Sequence, residues 1–176
     1  MEKKYILTEE TKEVGGHILH RIQAMRDFGG VQKGDLGGWI ESEENLSHDG
    51  DCWIFDNGRV YGNGQVYGSG EVYGNGWVSD NGEVYGNGKV YGSARIGVNG
   101  YISSPRSYFV QGPIGSRNDF LTCYLDKDKK IYAVTGCFCG SIEVFVKKVK
   151  AVHGMNRWAK QYLKAAEMAR VMLFGD

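Results

Sequence analysis

The chain has 176 residues, enough for one core with small caps at its ends. Its 21 basic and 21 acidic residues cancel, so the basic excess that attracts duplex nucleic acid or an anionic membrane is missing. Apolar residues make up 41% of the sequence, which suffices for a core, yet no apolar run is long enough to span a bilayer.

The opening "MEKKYILTEETKEV" has no apolar stretch of the kind a secretory signal needs. The four cysteines show no paired metal-binding spacing and fit a reducing cytoplasm, with Cys137 and Cys139 of "GCFCG" expected as ordinary buried thiols. "HILHRIQAM" (His17–Met25) alternates loosely and reads as a strand, as does "GDLGGWIE" (Gly34–Glu41) after a Gly-rich turn. "ESEENLSHDG" (Glu41–Gly50) reads as an acidic connector, so residues 1–50 are expected to form an N-terminal β cap and connector.

From residue 51 to 103 one six-residue phrase recurs. An aliphatic column runs Ile54, Val60, Val66, Val72, Val78, Val84, Val90, Ile96 and Ile102 without a slip. Two places before each stands Cys, Gly or Ala, and 14 of the 27 glycines lie between Gly50 and Gly100. A period of six is no helix period; small-in, polar-out, aliphatic-in, Tyr-out describes a short strand, and Gly-Asn, Gly-Ser or Asp-Asn after it supplies a corner.

This phrase resembles the hexapeptide repeat of left-handed parallel β-helices. The resemblance implies a three-sided coil of 18 residues per lap, hence a mainly β protein with a left-handed parallel β-helix of about three laps. Its handedness comes from the resemblance alone. An 18-residue lap stacks Glu71 on Lys89, threads Arg59, Trp77 and Arg95 into a cation–aromatic ladder, and stacks Phe55, Tyr73 and Tyr91. A 12-residue lap would set Glu71 on Glu83, so 18 is preferred. Exposed Tyr, Trp and Arg are interface anchors, so Arg59, Tyr73, Trp77, Tyr91 and Arg95 are candidates for an association surface. Proteins with this repeat commonly form trimers, and a homo-oligomer is expected on that resemblance.

Residues 104–176 leave the repeat. "SSPRSYFVQGPIGSRND" (Ser103–Asp119) holds both prolines and reads as a loop with a short extended piece. "FLTCYL" and "KIYAVTGCF" read as a hairpin across "DKDK". A helix follows from the N-cap Ser141, with Ile142, Phe145, Val146 and Val149 on one face, and Gly154 ends it. A second helix starts at Asn156 with the stripe Trp158, Tyr162, Ala165, Ala169 and Met172, completing a ββαα cap.

Acyltransferases with the hexapeptide repeat use a histidine reaching into a cleft between prisms. Only His48, just before the repeat, is placed for that role, and the longer prism and protruding loop of those enzymes are missing here. No phosphate loop, metal-ligand set or cofactor motif is recognised. The loop near "GPIGSRND" holds the densest polar information: Arg106, Ser116, Arg117, Asn118 and Asp119 are candidates for holding a phosphate or carboxylate, or for tying the loop to the cap.

"GDLGGWIESEENLS", the Gly-rich hexads, "GPIGSRND", "GCFCG" and the final "HGMN" together resemble a group of small phage and prophage hexapeptide-repeat proteins. That resemblance implies an accessory protein of the host cytoplasm, not an enzyme, that counters host defence. It would sequester a small phosphorylated, nucleotide-like signal or mask a host defence protein. A structural scaffold and an acyltransferase are the alternatives.

Overall fold

The structure, a computed structural model, describes residues 3–174. In chain order it has β1 (Tyr5–Val14), β2 (His17–Ala24) and β3 (Leu36–Ile40), then nine two-residue strands from Trp53–Ile54 (β4) to Tyr101–Ile102 (β12). After these come β13 (Tyr108–Ile114), β14 (Asp119–Leu125), β15 (Ile131–Thr135), β16 (Phe138–Ser141), α1 (Ile142–His153) and α2 (Arg157–Phe174).

Each hexad contributes one rung of a parallel β-helix. Val60 lies on Val78 and Val78 on Ile96, with Val72 on Val90 and Val66 on Val84 along the other two sides. All nine aliphatic positions are buried, and their β-branched side chains fill the axis. The small residue two places earlier passes beneath the next lap: a Cβ on Gly88 would stand 2.2 Å from the carbonyl oxygen of Ile102. Corners turn on left-handed residues, chiefly glycine, with Asp56 and Asp80 in the equivalent place at φ 53°. Where Val98 occupies that place, the left-handed turn moves on to Asn99, because a β-branched residue resists positive φ.

The outward ladders follow the 18-residue lap. Lys89 Nζ meets the Glu71 carboxylate at 2.5 Å, and Trp77 lies between the guanidinium groups of Arg59 and Arg95 at 5.7 and 5.4 Å. Phe55 stacks on Tyr73 at 4.5 Å, but Tyr91 leaves that stack and packs edge-on against Tyr108 of β13. The expected three-ring ladder is therefore two rings long, because the cap offers Tyr91 a closer partner.

The helix has about four laps rather than three. Trp39 pairs with Arg59, Ile40 with Val60, and Leu46 bridges to Val66. Ile40 to Leu46 keeps the six-residue step, but eight residues separate Leu46 from Ile54. That two-residue insertion hides the first lap from a strict hexad count, and it corrects the reading of Glu41–Gly50 as a mere connector. Buried Asn45 stands in for a missing rung. Its Oδ1 accepts from the N–H groups of Glu41 and Ser42, and its Nδ2 donates to the carbonyls of Gly62 and Gly64.

The two ends are closed differently. At the first lap, β1 and β2 form an antiparallel hairpin that continues the side carrying β3. Tyr5, Ile22, Phe28, Val31 and Trp53 plug the axis there. At the last lap the expected hairpin is a four-stranded antiparallel sheet, β13-β14-β15-β16. Despite Pro113, Tyr108–Ile114 is a full seven-residue strand with a register shift between Gln111 and Ile114, longer than the short extended piece expected in this loop. One face of this sheet (Tyr108, Val110, Tyr124, Val134) closes the prism, and the other (Leu121, Cys123, Ala133) packs on the helices.

Ser141 caps α1, its Oγ accepting from the Val144 N–H, and Gly154 terminates it. Asn156 caps α2, accepting from the Trp158 and Ala159 N–H groups. The buried stripe of α2 is Ala159, Tyr162, Ala165, Ala166 and Ala169. Trp158 is only half-buried and Met172 is exposed, a shift of the stripe that lets small alanines seat α2 closely on the sheet. No helix among the described residues is long and apolar enough to cross a membrane.

Candidate functional site

The turn between β13 and β14 is fixed by one glycine. Gly115 has φ 75°, its N–H donates to Gln161 Oε1 of α2 at 2.8 Å, and a Cβ on it would overlap the Tyr162 hydroxyl. This anchoring carries Ser116 and Arg117 over the end of the helix pair. Opposite them, the turn between β15 and β16 brings Gly136, Cys137 and Phe138. Between the two turns and α1 lies a cavity of about 290 Å³.

Its wall is mainly aromatic and aliphatic (Phe138, Phe145, Val149, Tyr162), and its polar groups are Ser116, Arg117, Asp119, Thr135, Lys148 and His153. Asp119 is occupied. It takes a two-point salt bridge from Arg95 at 3.2 and 3.3 Å and accepts from the N–H groups of Phe120 and Gly136. Partial burial works against its charge, but these donors outweigh burial and hold its carboxyl below the usual range. Arg117 and Lys148 have no carboxylate partner among the described residues. Lys148 lies over the Phe138 ring at 5.4 Å. Two uncompensated cations therefore face an apolar hollow.

Ser116, Arg117 and Asp119 are thus brought together. Asn118 sits in the turn at φ 52° and serves its geometry. Arg106 stands apart: it is exposed in the Ser104–Ser107 turn, at the other end of β13. Lys148, His153, Phe138 and Tyr162 had no local signature. They come from a strand and two helices distant in sequence.

The surface candidates do not form one face. Arg59, Trp77 and Arg95 share the side of β3, whereas Tyr73 and Tyr91 follow strands of another side. Arg95 is drawn under the cap by Asp119. Cys137 and Cys139 are exposed, which corrects their expected burial: they lie on the turn and edge strand of the cap sheet, with a neighbour on one side only.

A second cavity of about 160 Å³ adjoins the first and shares Gly136, Cys137 and Phe138 with it. It lies between the prism and the cap, against Trp77, Ser79, Asp80, Arg95 and Gly97.

His48 is a structural histidine. Its Nδ1 accepts the Lys4 N–H, its Nε2 approaches Glu43 at 3.4 Å, and its ring stacks on Tyr5 at 4.2 Å. Both ring nitrogens are engaged, which removes it as a general base. His17 differs: both Glu41 carboxylate oxygens lie 3.0 Å from its Nδ1, and its Nε2 has no hydrogen bond among the described residues.

No family model matches the chain. A stretch of 66 residues is 35% identical to the uncharacterized acetyltransferase YdcK of Escherichia coli strain K12. The match covers 33% of this chain and 20% of that protein. Repeat, stacked laps and this partial likeness agree on a β-helix repeat protein.

Proposed function

We propose that this is a binding protein for a small anionic ligand, held in the cavity between the β13–β14 turn and α1. The observation that carries the reading is the pair Arg117 and Lys148, two cations without carboxylate partners at the rim of a hollow walled by Phe138, Phe145 and Tyr162. A phosphate or carboxylate would meet the cations, with Ser116 and Thr135 as further hydrogen-bonding groups, and an apolar or aromatic part would fill the hollow. The resemblance to small phage proteins supports a counter-defence role in the host cytoplasm, with a phosphorylated signal withheld in this site. Masking of a host defence protein is the alternative to withholding a ligand, and assembly into trimers along the prism sides is compatible with either. Melting temperatures with pyrophosphate, nucleoside monophosphates and dicarboxylates test it. A rise for one class is expected, lost in Arg117→Ala and Lys148→Ala with the ligand-free melting point nearly unchanged. No rise across the whole panel would overturn it.

A second reading is acyl transfer. The likeness to an acetyltransferase favours it, together with the His17–Glu41 pair, in which a carboxylate holds one ring nitrogen and leaves the other open beside Tyr61. Acetyl transfer from acetyl-coenzyme A that disappears in His17→Ala would support this; activity unaffected by that change would sink it.

A further inference from the structure

The hexad rule fails in two stacked places, and both failures border the second cavity. Between Val60 and Gly92 the residue after each valine is Tyr and the next is Gly, except in "WVSDNG", where they are Ser79 and Asp80. One lap on, Gly97 follows Ile96 where a tyrosine would stand. Ser79 and Gly97 are 18 residues apart, so the two small residues stack. Tyrosines there would occupy the space that is the cavity of about 160 Å³.

Asp80 carries a cost that glycine would avoid, since it holds φ 53° at a corner where Gly62, Gly68, Gly74, Gly86 and Gly92 turn freely. Asp56 holds the same conformation and repays it structurally, its Oδ2 accepting the Gly74 N–H of the next lap. Asp80 makes no such bond to the lap above. Among the described residues its side chain accepts only from the neighbouring Ser79 hydroxyl and makes no salt bridge, and its Oδ2 lies beside Gly97 at the cavity wall. Asp80 is thus an exposed carboxylate, bonded only by its neighbour Ser79 among the described residues, beside a hollow cut by small residues.

We propose that the second cavity is the base-binding half of the site, taking a flat ring that presents paired N–H donors to Asp80. This rests on the anionic reading of the first cavity. The two hollows share the Gly136–Phe138 turn, and the Arg95–Asp119 salt bridge spans them, one partner in each wall. The ligand is then a nucleoside phosphate, its phosphate at Arg117 and Lys148 and its base beside Trp77 and Val134. Guanine is the base whose N1–H and 2-amino group form a parallel donor pair for a carboxylate. Adenine offers a ring acceptor at that edge, which Asp80 would repel.

The test compares GMP, AMP and pyrophosphate by calorimetry on the full chain and on Asp80→Gly, Asp80→Asn and Ser79→Tyr. Asp80→Gly restores the corner residue of its sister hexads, so it folds at least as well; Ser79→Tyr restores their tyrosine and fills the hollow. The proposal expects GMP to bind about tenfold or more tighter than AMP or pyrophosphate, and each variant to lose that advantage. Pyrophosphate binding should stay unchanged in all three. If pyrophosphate binds but GMP gains nothing over it, or keeps its gain in Asp80→Gly, the base site is overturned and the anion site stands. If none of the three binds, the anion site itself fails and takes the base site with it.

Discussion

The two ends of the prism solve the same problem with opposite results. An open solenoid exposes unpaired rungs and an apolar axis, and each end must be covered. The first end is sealed by large side chains: Trp53 is buried against Phe28 and Tyr5, with ring centroids 5.3 and 6.2 Å away. Even Lys4 is enclosed there, donating to the carbonyl of Cys52 at 2.9 Å and approaching its sulfur at 3.1 Å, and burial lowers the lysine's pKa. The last end is covered by a sheet that packs Tyr108, Val110, Tyr124 and Val134 on the axis, yet leaves one hollow beside that contact and another within the cap. A plug fills its end throughout, whereas a lid seated on only part of its support leaves room for a ligand.

That contrast can be broken at several strengths. Trp53→Ala should destabilise most, by about 3–5 kcal/mol, because it empties the plug; denaturant titration reads it. A loss near that of a surface residue would mean that the first end is not a packed plug. Tyr124→Phe should cost less, about 1–2 kcal/mol, since its hydroxyl accepts the buried Gly97 N–H at 3.3 Å and that donor would be orphaned. An unchanged midpoint in the same titration would contradict a cap held by that bond.

Asp119→Asn should have the smallest effect, and one that depends on pH. The carboxyl is held below its ordinary value in the folded state, so its stabilisation is present above about pH 4 and fades as acid protonates it. The midpoint gap between wild type and Asp119→Asn should therefore be widest near neutrality and close below about pH 4. A gap that persists in acid would assign the salt bridge no role in seating the cap.

Much of the prism was legible because its physics is local and repeated. Glu71 and Lys89, or Val60 and Val78, can be paired from spacing alone, since every lap has the same length. The first lap escaped because Leu46 and Ile54 break that spacing by two residues, although Ile40 and Leu46 keep it. The strand through Pro113 escaped because proline argues against a ladder position, and here it sits where the register shifts. At the site, "GPIGSRND" pointed to Ser116, Arg117 and Asp119 because a polar, Gly-bounded turn is visible in a string. Lys148 and Tyr162 are ordinary helix residues until the fold brings them opposite that turn. Asp80 reads in the sequence as part of a corner motif, which its backbone is; only the comparison with Asp56 shows that its side chain lacks the corner's bond.

Because each lap bonds only to the laps directly above and below it, the prism behaves as a spacer of adjustable length. Adding or removing one 18-residue unit in the middle would move the plugged end relative to the lid by one strand spacing, about 4.8 Å, and leave both closures intact. Reach and recognition are thereby separable in this architecture: the number of turns fixes how far the lid stands from the opposite end, while Ser79, Asp80 and Gly97 travel with the lid.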